Sequence, residues 1–386
     1  MFDVGIVGGG MVGAATAVGL AKQGLKVVVF EVKLPSEYSP EQPPDMRVSA
    51  INLKAQSLLH SLGVWQDVES KRICPFKRML VWEEDKGATQ FDSSEINQGQ
   101  LGFIVENRLI QLALLNRIRA LPNITLVSGV TIKGIESGRP NIIRTGNNLS
   151  YECKMLVGAD GGNSQVRNAL NIGQQGWQYK QHALAINIKL ADAIQQDITW
   201  QQFKPSGPVA FLPLYDGFAS LVWYDSADRV AELKRLNSSS LKAQILGHFP
   251  DKLRDFEILQ TASFPLTRMH ANQYYKGNSV LIGDAAHTIN PLAGQGVNLG
   301  FRDVSVFLEC LSGWDISENS VQPLLKQYES KRKSSNLLMM STMDAIYAAF
   351  SNDNLPLKLF RNLGLNLADK AGPIKKQVMK VALGLT

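Results

Sequence analysis

The sequence predicts an α/β fold in which a parallel, Rossmann-type layer is interleaved with a mostly antiparallel sheet, an α+β arrangement in its second part. Three observations carry that prediction. Residues 3–31, DVGIVGGGMVGAATAVGLAKQGLKVVVFE, fit strand, glycine turn, alanine-rich helix and second strand into the length of one βαβ unit. Two later segments, 156–167 (LVGADGGNSQVR) and 279–300 (SVLIGDAAHTINPLAGQGVNLG), repeat the strand-then-glycine-turn grammar. Between these two, HALAINIKL, PVAFLPLY and ASLVWYD are short apolar or alternating runs with the composition of sheet strands.

Each element of the first unit has a physical reason. Val4 to Val7 is an apolar strand, and Gly8-x-Gly10-x-x-Gly13 follows it directly. Gly8 permits the tight turn, Gly10 lets backbone approach a pyrophosphate, and Gly13 lets helix pack close to strand. The helix N-terminus offers unpaired N–H groups to phosphate. Glu31 closes the second strand, where a carboxylate accepts hydrogen bonds from an adenosine ribose. That acid points to FAD or NAD and does not choose between them. In the second segment Asp160 and Ser164 either cap a helix or serve a cofactor. The third runs from strand Ser279–Ile282 through Gly283-Asp284 into a helix from about Gly296.

Composition excludes several classes. The chain has 386 residues, 45% hydrophobic and 19% charged, without an apolar run near the length of a membrane span. The N-terminus enters structure at once, so no signal peptide is expected and the expected location is cytoplasmic. Cys74, Cys153 and Cys310 are far apart and form no CxxC, and the histidines show no HxxxH spacing. No disulfide and no metal site is expected. Residues 353–386 set six cations (Lys358, Arg361, Lys370, Lys375, Lys376, Lys380) against two acids, with leucines interleaved. Such a tail packs on its own protein or lies on an anionic membrane surface. It carries no base-reading motif, so nucleic acid is not an expected partner.

Taken together and in this order, the three glycine segments resemble the fingerprints of the group A flavoprotein monooxygenases, the fold of para-hydroxybenzoate hydroxylase. The resemblance implies an FAD site built from all three. Gly8, Gly10 and Gly13 would hold the pyrophosphate, Glu31 the ribose, and Asp160 would stand in a motif serving both FAD and the pyridine nucleotide. Asp284 would bond a ribityl hydroxyl. The backbone of Gly294, Gln295 and Gly296, with Val297 and Asn298 following, would face the flavin edge, and Pro291 would lie against the ring. Arg47 in DMRVSAIN and Arg108 in VENRLIQLALL resemble the family's cofactor arginines, and Val130 would meet adenine through its backbone. No second GxGxxG exists, which fits transient docking of NAD(P)H.

The segments HTINPLAGQGVNLGFRD, DMRVSAINLKAQSLLHSLGVW and TWQQFKPSGPVAFLPLYDGFASLVWYDS resemble the ubiquinone-biosynthesis branch of that family. The last is nearest to members that hydroxylate a polyprenylated methyl-methoxy-benzoquinol. The implied chemistry is reduction of FAD by NAD(P)H, capture of O2 as a flavin C4a-hydroperoxide, and oxygen transfer to the electron-rich ring. A quinol is activated by its own hydroxyls, and no catalytic base is evident. His287 lies beside the flavin loop, where a hydrogen-bonding role is expected over a catalytic one. Phe211, Leu212, Pro213 and Trp223 on the sheet, with Pro291 and Leu292, are the candidate pocket wall, or else plain core. A sister hydroxylase acting on another ring carbon, and a noncatalytic flavin-binding subunit of a biosynthetic complex, are the alternatives. The expected organisation is a discontinuous FAD domain (1–75, 100–180, 265–330), a substrate sheet (76–99, 181–264) and C-terminal helices (331–386). An insoluble prenyl tail makes a peripheral membrane contact, or a biosynthetic protein complex, an expected partner.

Overall fold

Strand Phe2–Val7 ends in the glycine turn and leads into helix Met11–Lys22, followed by strand Val27–Glu31. The computed structural model describes residues 1–83, 88–192, 196–253, 255–289, 296–316, 320–351 and 372–382. The first helix is buried continuously from Gly13 to Ala21. Its run of Gly and Ala makes that possible, because a narrow helix fits between layers: a Cβ on Gly19 would stand 2.3 Å from Leu308 Cδ1. Around it lies a parallel layer in which Ser279–Leu281, Ser150–Gly158, Phe2–Val7, Val27–Glu31 and Ile124–Ser128 stand side by side. Val4, Ile6, Val27, Val28 and Val29 are all fully buried, the pattern of a parallel strand covered on both faces.

The second, larger sheet runs His287–Thr288, Phe256–Ala271, Gln174–Leu190, Phe218–Ser226, Val209–Pro213, Ile198–Gln202, Arg78–Trp82, Ala88–Asp92. Every pairing is antiparallel except that of Ile198–Gln202 with Arg78–Trp82. One face carries Leu184, Ile186, Trp200, Phe211, Leu221 and Trp223, and packs on Val230, Leu233, Leu241 and Ile245 of two helices, Ala227–Arg235 and Ser238–His248. On the opposite face Met79, Leu212 and Phe218 pack against the core of the nucleotide layer. A small third sheet, Val48–Asn52, Gly102–Glu106 and Cys74–Phe76, lies between.

The strands do not respect the expected domain boundaries. Gln174–Leu190 runs through the 180/181 division and Phe256–Ala271 through 264/265, while His287–Thr288 of the third motif joins the large sheet. Continuous strands therefore tie the two parts together. Helix Gln322–Phe350 begins earlier than 331 and buries Leu325, Tyr328, Arg332, Asn336, Met340 and Met343 at three- and four-residue spacing. Among the described residues no helix is long and apolar enough to cross a membrane. Of the basic tail, helix Pro373–Ala382 docks on the protein itself: Met379 is buried in the main core and Lys375 pairs with Glu95 at 2.9 Å.

Candidate active site

The first turn is shaped for close approach. Gly8 has φ +102°, and a Cβ there would stand 2.3 Å from the Ala159 carbonyl oxygen, so the turn is pressed against the second motif. A Cβ on Gly13 would stand 1.9 Å from the Gly8 carbonyl oxygen, so helix and turn touch backbone to backbone. Gly10 is different, since a Cβ there would meet nothing within 4 Å. That open space lies at the N-terminus of helix Met11–Lys22, which has no side-chain cap and no acid in its first turn. Unpaired N–H groups and an uncancelled helix dipole thus face the opening, and they suit a diphosphate. Glu31 Oε2 accepts the Gly9 N–H at 2.7 Å and Oε1 accepts Lys33 N at 3.1 Å. The residues present fit a dinucleotide cofactor.

The three motifs converge. Ala159 N donates to Val7 O at 2.8 Å and Ile282 N to Gly158 O at 2.9 Å, aligning the three strand ends. Val12 of the first motif packs on the third, where Cβ atoms on Gly283 and Gly300 would stand 3.1 and 2.6 Å from its methyl groups. Arg167 is buried and donates to Ala285 O at 2.9 Å and Gly162 O at 2.7 Å, joining second motif to third. Asp160 is occupied as a cap, accepting from Ser164 Oγ, Gln165 N and Val166 N.

Asp284 follows Gly283 in the third motif and is accessible to solvent, while surrounding protein atoms partly desolvate its carboxyl. That desolvation raises its carboxyl above the ordinary range, against the nearby charges of His287 and Arg47, which favour ionisation. Behind it lies a buried polar cluster. Asp303, fully buried, accepts from Gly283 N at 3.1 Å, His287 Nε2 at 2.5 Å, Arg332 Nε at 2.7 Å and Asn336 Nδ2 at 3.2 Å. Burial alone would raise the Asp303 carboxyl; His287 and Arg332 outweigh it and hold it well below the usual carboxylate range. Asn336 also reaches Tyr274 Oη at 3.2 Å, which meets His270 Nε2 at 3.0 Å. The His287 Nε2 is therefore committed to Asp303.

Arg47 is exposed, and its carbonyl accepts Asn107 N at 3.0 Å, which sets it beside the helix carrying Arg108. Arg108 itself is engaged, donating to Asp45 Oδ2 at 2.8 Å and Ser36 Oγ at 2.7 Å. Val130 is half-buried and follows Gly129, whose N–H donates to Glu31 O at 3.1 Å. Asn298 bridges the start of helix Gly296–Leu311 to strand Val48–Asn52, accepting from Asn52 N at 3.1 Å and donating to Ala50 O at 2.7 Å. Val297 packs on the main core, and Gly296 has room, its nearest neighbour Ile289 at 3.7 Å from a built Cβ. Pro291, Leu292, Gly294 and Gln295 lie outside the described residues.

The pocket-wall expectation divides by strand parity. Phe211 and Trp223 belong to the core behind the sheet, where Trp223 stacks on His248 at 4.2 Å between ring centroids. Pro213 is two residues from Phe211 and shares its side of the strand. Only Leu212 points to the nucleotide layer. Side chains on its face that the sequence reading missed are Asn187 and Gln260. Their amides converge on Pro44 O, both at 2.8 Å, and fix the loop leading to Arg47. Gln111 was also missed; it donates to Gly9 O at 3.0 Å and steadies the first turn. Its signal was present, three residues after Arg108 on one helix face. Asp303 had a signal too, an acid on the apolar stripe Leu299, Val304, Phe307.

A parallel nucleotide layer with three converging glycine turns, set over an antiparallel sheet, is the fold of flavin-dependent monooxygenases, and family and relatives make this chain an aromatic hydroxylase. The family described as "FAD binding domain" matches residues 1–341, and the chain belongs to it. FAD is the cofactor, and NAD(P)H is the reductant usual to the family. The chain is 44% identical over 99% of its length, and 98% of the relative's, to 3-demethoxyubiquinol 3-hydroxylase of Escherichia coli. It is 35% identical to the ubiquinone hydroxylase UbiL of Rhodospirillum rubrum, covering 99% of this chain and 89% of that one. The crystal structure of p-nitrophenol 4-monooxygenase PnpA from Pseudomonas putida superposes with a TM-score of 0.80 at 19% identity, over 99% and 96% of the two chains, and shares the fold.

Proposed function

We propose that this protein hydroxylates the ring of a polyprenylated methyl-methoxy-benzoquinol in ubiquinone biosynthesis, using FAD, NAD(P)H and O2. The observation that carries this reading is the end-to-end similarity to the Escherichia coli 3-demethoxyubiquinol 3-hydroxylase. When bound, FAD supplies the redox chemistry, accepting hydride from NAD(P)H and activating O2. The chain's own residues bind and orient. The Gly8–Gly13 turn and helix N-terminus hold the diphosphate, with Glu31 on the ribose and the Val130 backbone near adenine. Asp284 takes a ribityl hydroxyl, and Arg47, Arg108, and the segment through Pro291, Gly294, Gln295, Gly296, Val297 and Asn298 surround the rest. Asp160 acts through the turn it caps. Substrate binds at the sheet face carrying Leu212, with Pro291 and Leu292 as the further candidates for its wall. The quinol's hydroxyls activate the ring, so the protein's part is to position it and exclude water.

Two measurements test the reading. Purified protein is expected to be yellow, to consume NAD(P)H when the quinol is added, and to return a product one oxygen heavier. A colourless preparation that saturating FAD leaves inert would favour a noncatalytic subunit. Cells lacking the protein are expected to accumulate a methyl-methoxy-benzoquinone short of one oxygen. An earlier intermediate would instead assign a sister hydroxylase, the reading that similarity to UbiL keeps open. The exposed Lys376 and Lys380 of the docked tail helix form its outward basic face, which suits peripheral contact with an anionic bilayer or a partner in a biosynthetic complex.

A further inference from the structure

We infer that the C-terminal helix Gln322–Phe350 is part of the FAD site, acting through Asp303, a positioning residue that holds the Gly283–His287 turn in the shape the cofactor needs. The inference rests on the reading that Asp284 faces the ribityl chain. Asp284 lies between the two points that Asp303 grips, the N–H of Gly283 and the ring of His287, at 3.1 and 2.5 Å. The turn has no side-chain cap of its own, and Gly283 has φ +62°, so its shape is imposed from outside. The imposing group is a carboxylate with no solvent contact.

Such a charge is tolerable only when paired and hydrogen-bonded. Arg332, itself 1% exposed, supplies the pairing at 2.7 Å from the far helix, and Asn336 one turn later occupies Asp303 Oδ1 as well. Four donors thus fill the carboxylate, two from the flavin turn and two from the C-terminal helix. The charge of Asp303 also bears on Asp284, opposing its ionisation, while His287 favours it. An apolar contact would join the two helices equally well. What the ion pair adds is a fixed direction for two donors of the turn, and that is a reason to retain buried charge here.

The test compares FAD affinity with the stability of the apoprotein in the full chain. Arg332→Met removes the arginine that pairs with buried Asp303 and is expected to lower the apoprotein melting temperature and raise the FAD dissociation constant. The double variant Asp303→Asn with Arg332→Met removes both charges and is expected to regain melting temperature, yet to bind FAD about tenfold more weakly than the parent, a loss of about 1.4 kcal/mol. Its bound flavin absorbance is expected to shift. Recovery of both stability and FAD affinity by the double variant overturns the proposal, because the pair would then be structural only. His287→Gln leaves the ion pair intact and serves if those variants fold poorly. A several-fold weaker FAD at unchanged melting temperature supports the proposal, and unchanged affinity sinks it. Lys326→Met, on the exposed side of the same helix, is the control expected to change neither. Asp284→Ala separates the two levels: if it binds FAD normally, the ribityl reading itself has failed.

Discussion

Two glycines three residues apart make opposite demands, and the difference is testable at single atoms. A methyl on Gly13 would stand 1.9 Å from a backbone oxygen, so Gly13→Ala must push helix from turn. Overpacking of that kind costs about 1–3 kcal/mol, and the apoprotein is expected to melt earlier. A methyl on Gly10 meets no protein atom within 4 Å, and its φ of −64° suits alanine. Gly10→Ala is therefore expected to leave apoprotein melting unchanged while FAD binds more weakly, because the methyl occupies space kept for the diphosphate. Equal FAD affinity in Gly10→Ala and parent, measured by flavin fluorescence, would show that the space serves something else. Both glycines were legible in the sequence because their spacing encodes a local turn. The pairing of Asp303 with Arg332 was not, since it joins residues 29 apart on separate helices. Asp303 alone carried a local signal, unused in the sequence reading, as an acid on an apolar stripe.

At the scale of the strand, one residue of register decides what a side chain does. The run Val209–Pro213 is apolar at every position, so the sequence could not say which parity faces the cofactor. Two helices, Ala227–Arg235 and Ser238–His248, cover one face and claim Phe211 and Trp223, which leaves Leu212 to the other. Trp223→Ala is accordingly expected to cost about 3–5 kcal/mol of stability, the range for truncating a buried aromatic, with KM for quinol little changed. Leu212→Ala is expected to be milder in urea unfolding and to raise KM. If the two exchange these effects, the assignment of faces is wrong. The loop before Arg47 is another element that only the fold reveals. Asn187 and Gln260 are distant from it in sequence, yet both donate to Pro44 O. Asn187→Ala is expected to speed amide exchange across residues 36–47, and unchanged protection there would remove the clamp.

For the whole molecule, pH and the tail give the two tests. His270 is 6% exposed, and burial, then the charges of His287, Lys333 and Arg268, lower its pKa to about 4 from 6.5. Between those values the unfolded chain binds the proton and the folded one does not, so stability falls as pH drops from 6.5 toward 4. His270→Gln is expected to flatten the decline in melting temperature between pH 7 and 5. A slope identical to the parent's would assign the decline to other groups. The tail calls for a finer cut than deletion. Because Met379 is buried in the main core and Lys375 pairs with Glu95, removing residues 353–386 strips core contacts along with surface charge. Loss of vesicle binding after deletion would then report instability as readily as lost attraction. Lys376 and Lys380 are exposed one turn apart on that helix, so reversing both to Glu changes the outward charge by four while leaving the docking face intact. Unchanged melting with weaker sedimentation on vesicles containing anionic lipid, an effect that fades as salt is raised, is the expected result of a membrane-facing tail. Equal sedimentation of parent and variant, at melting temperatures that match, assigns the helix to holding the protein's own fold.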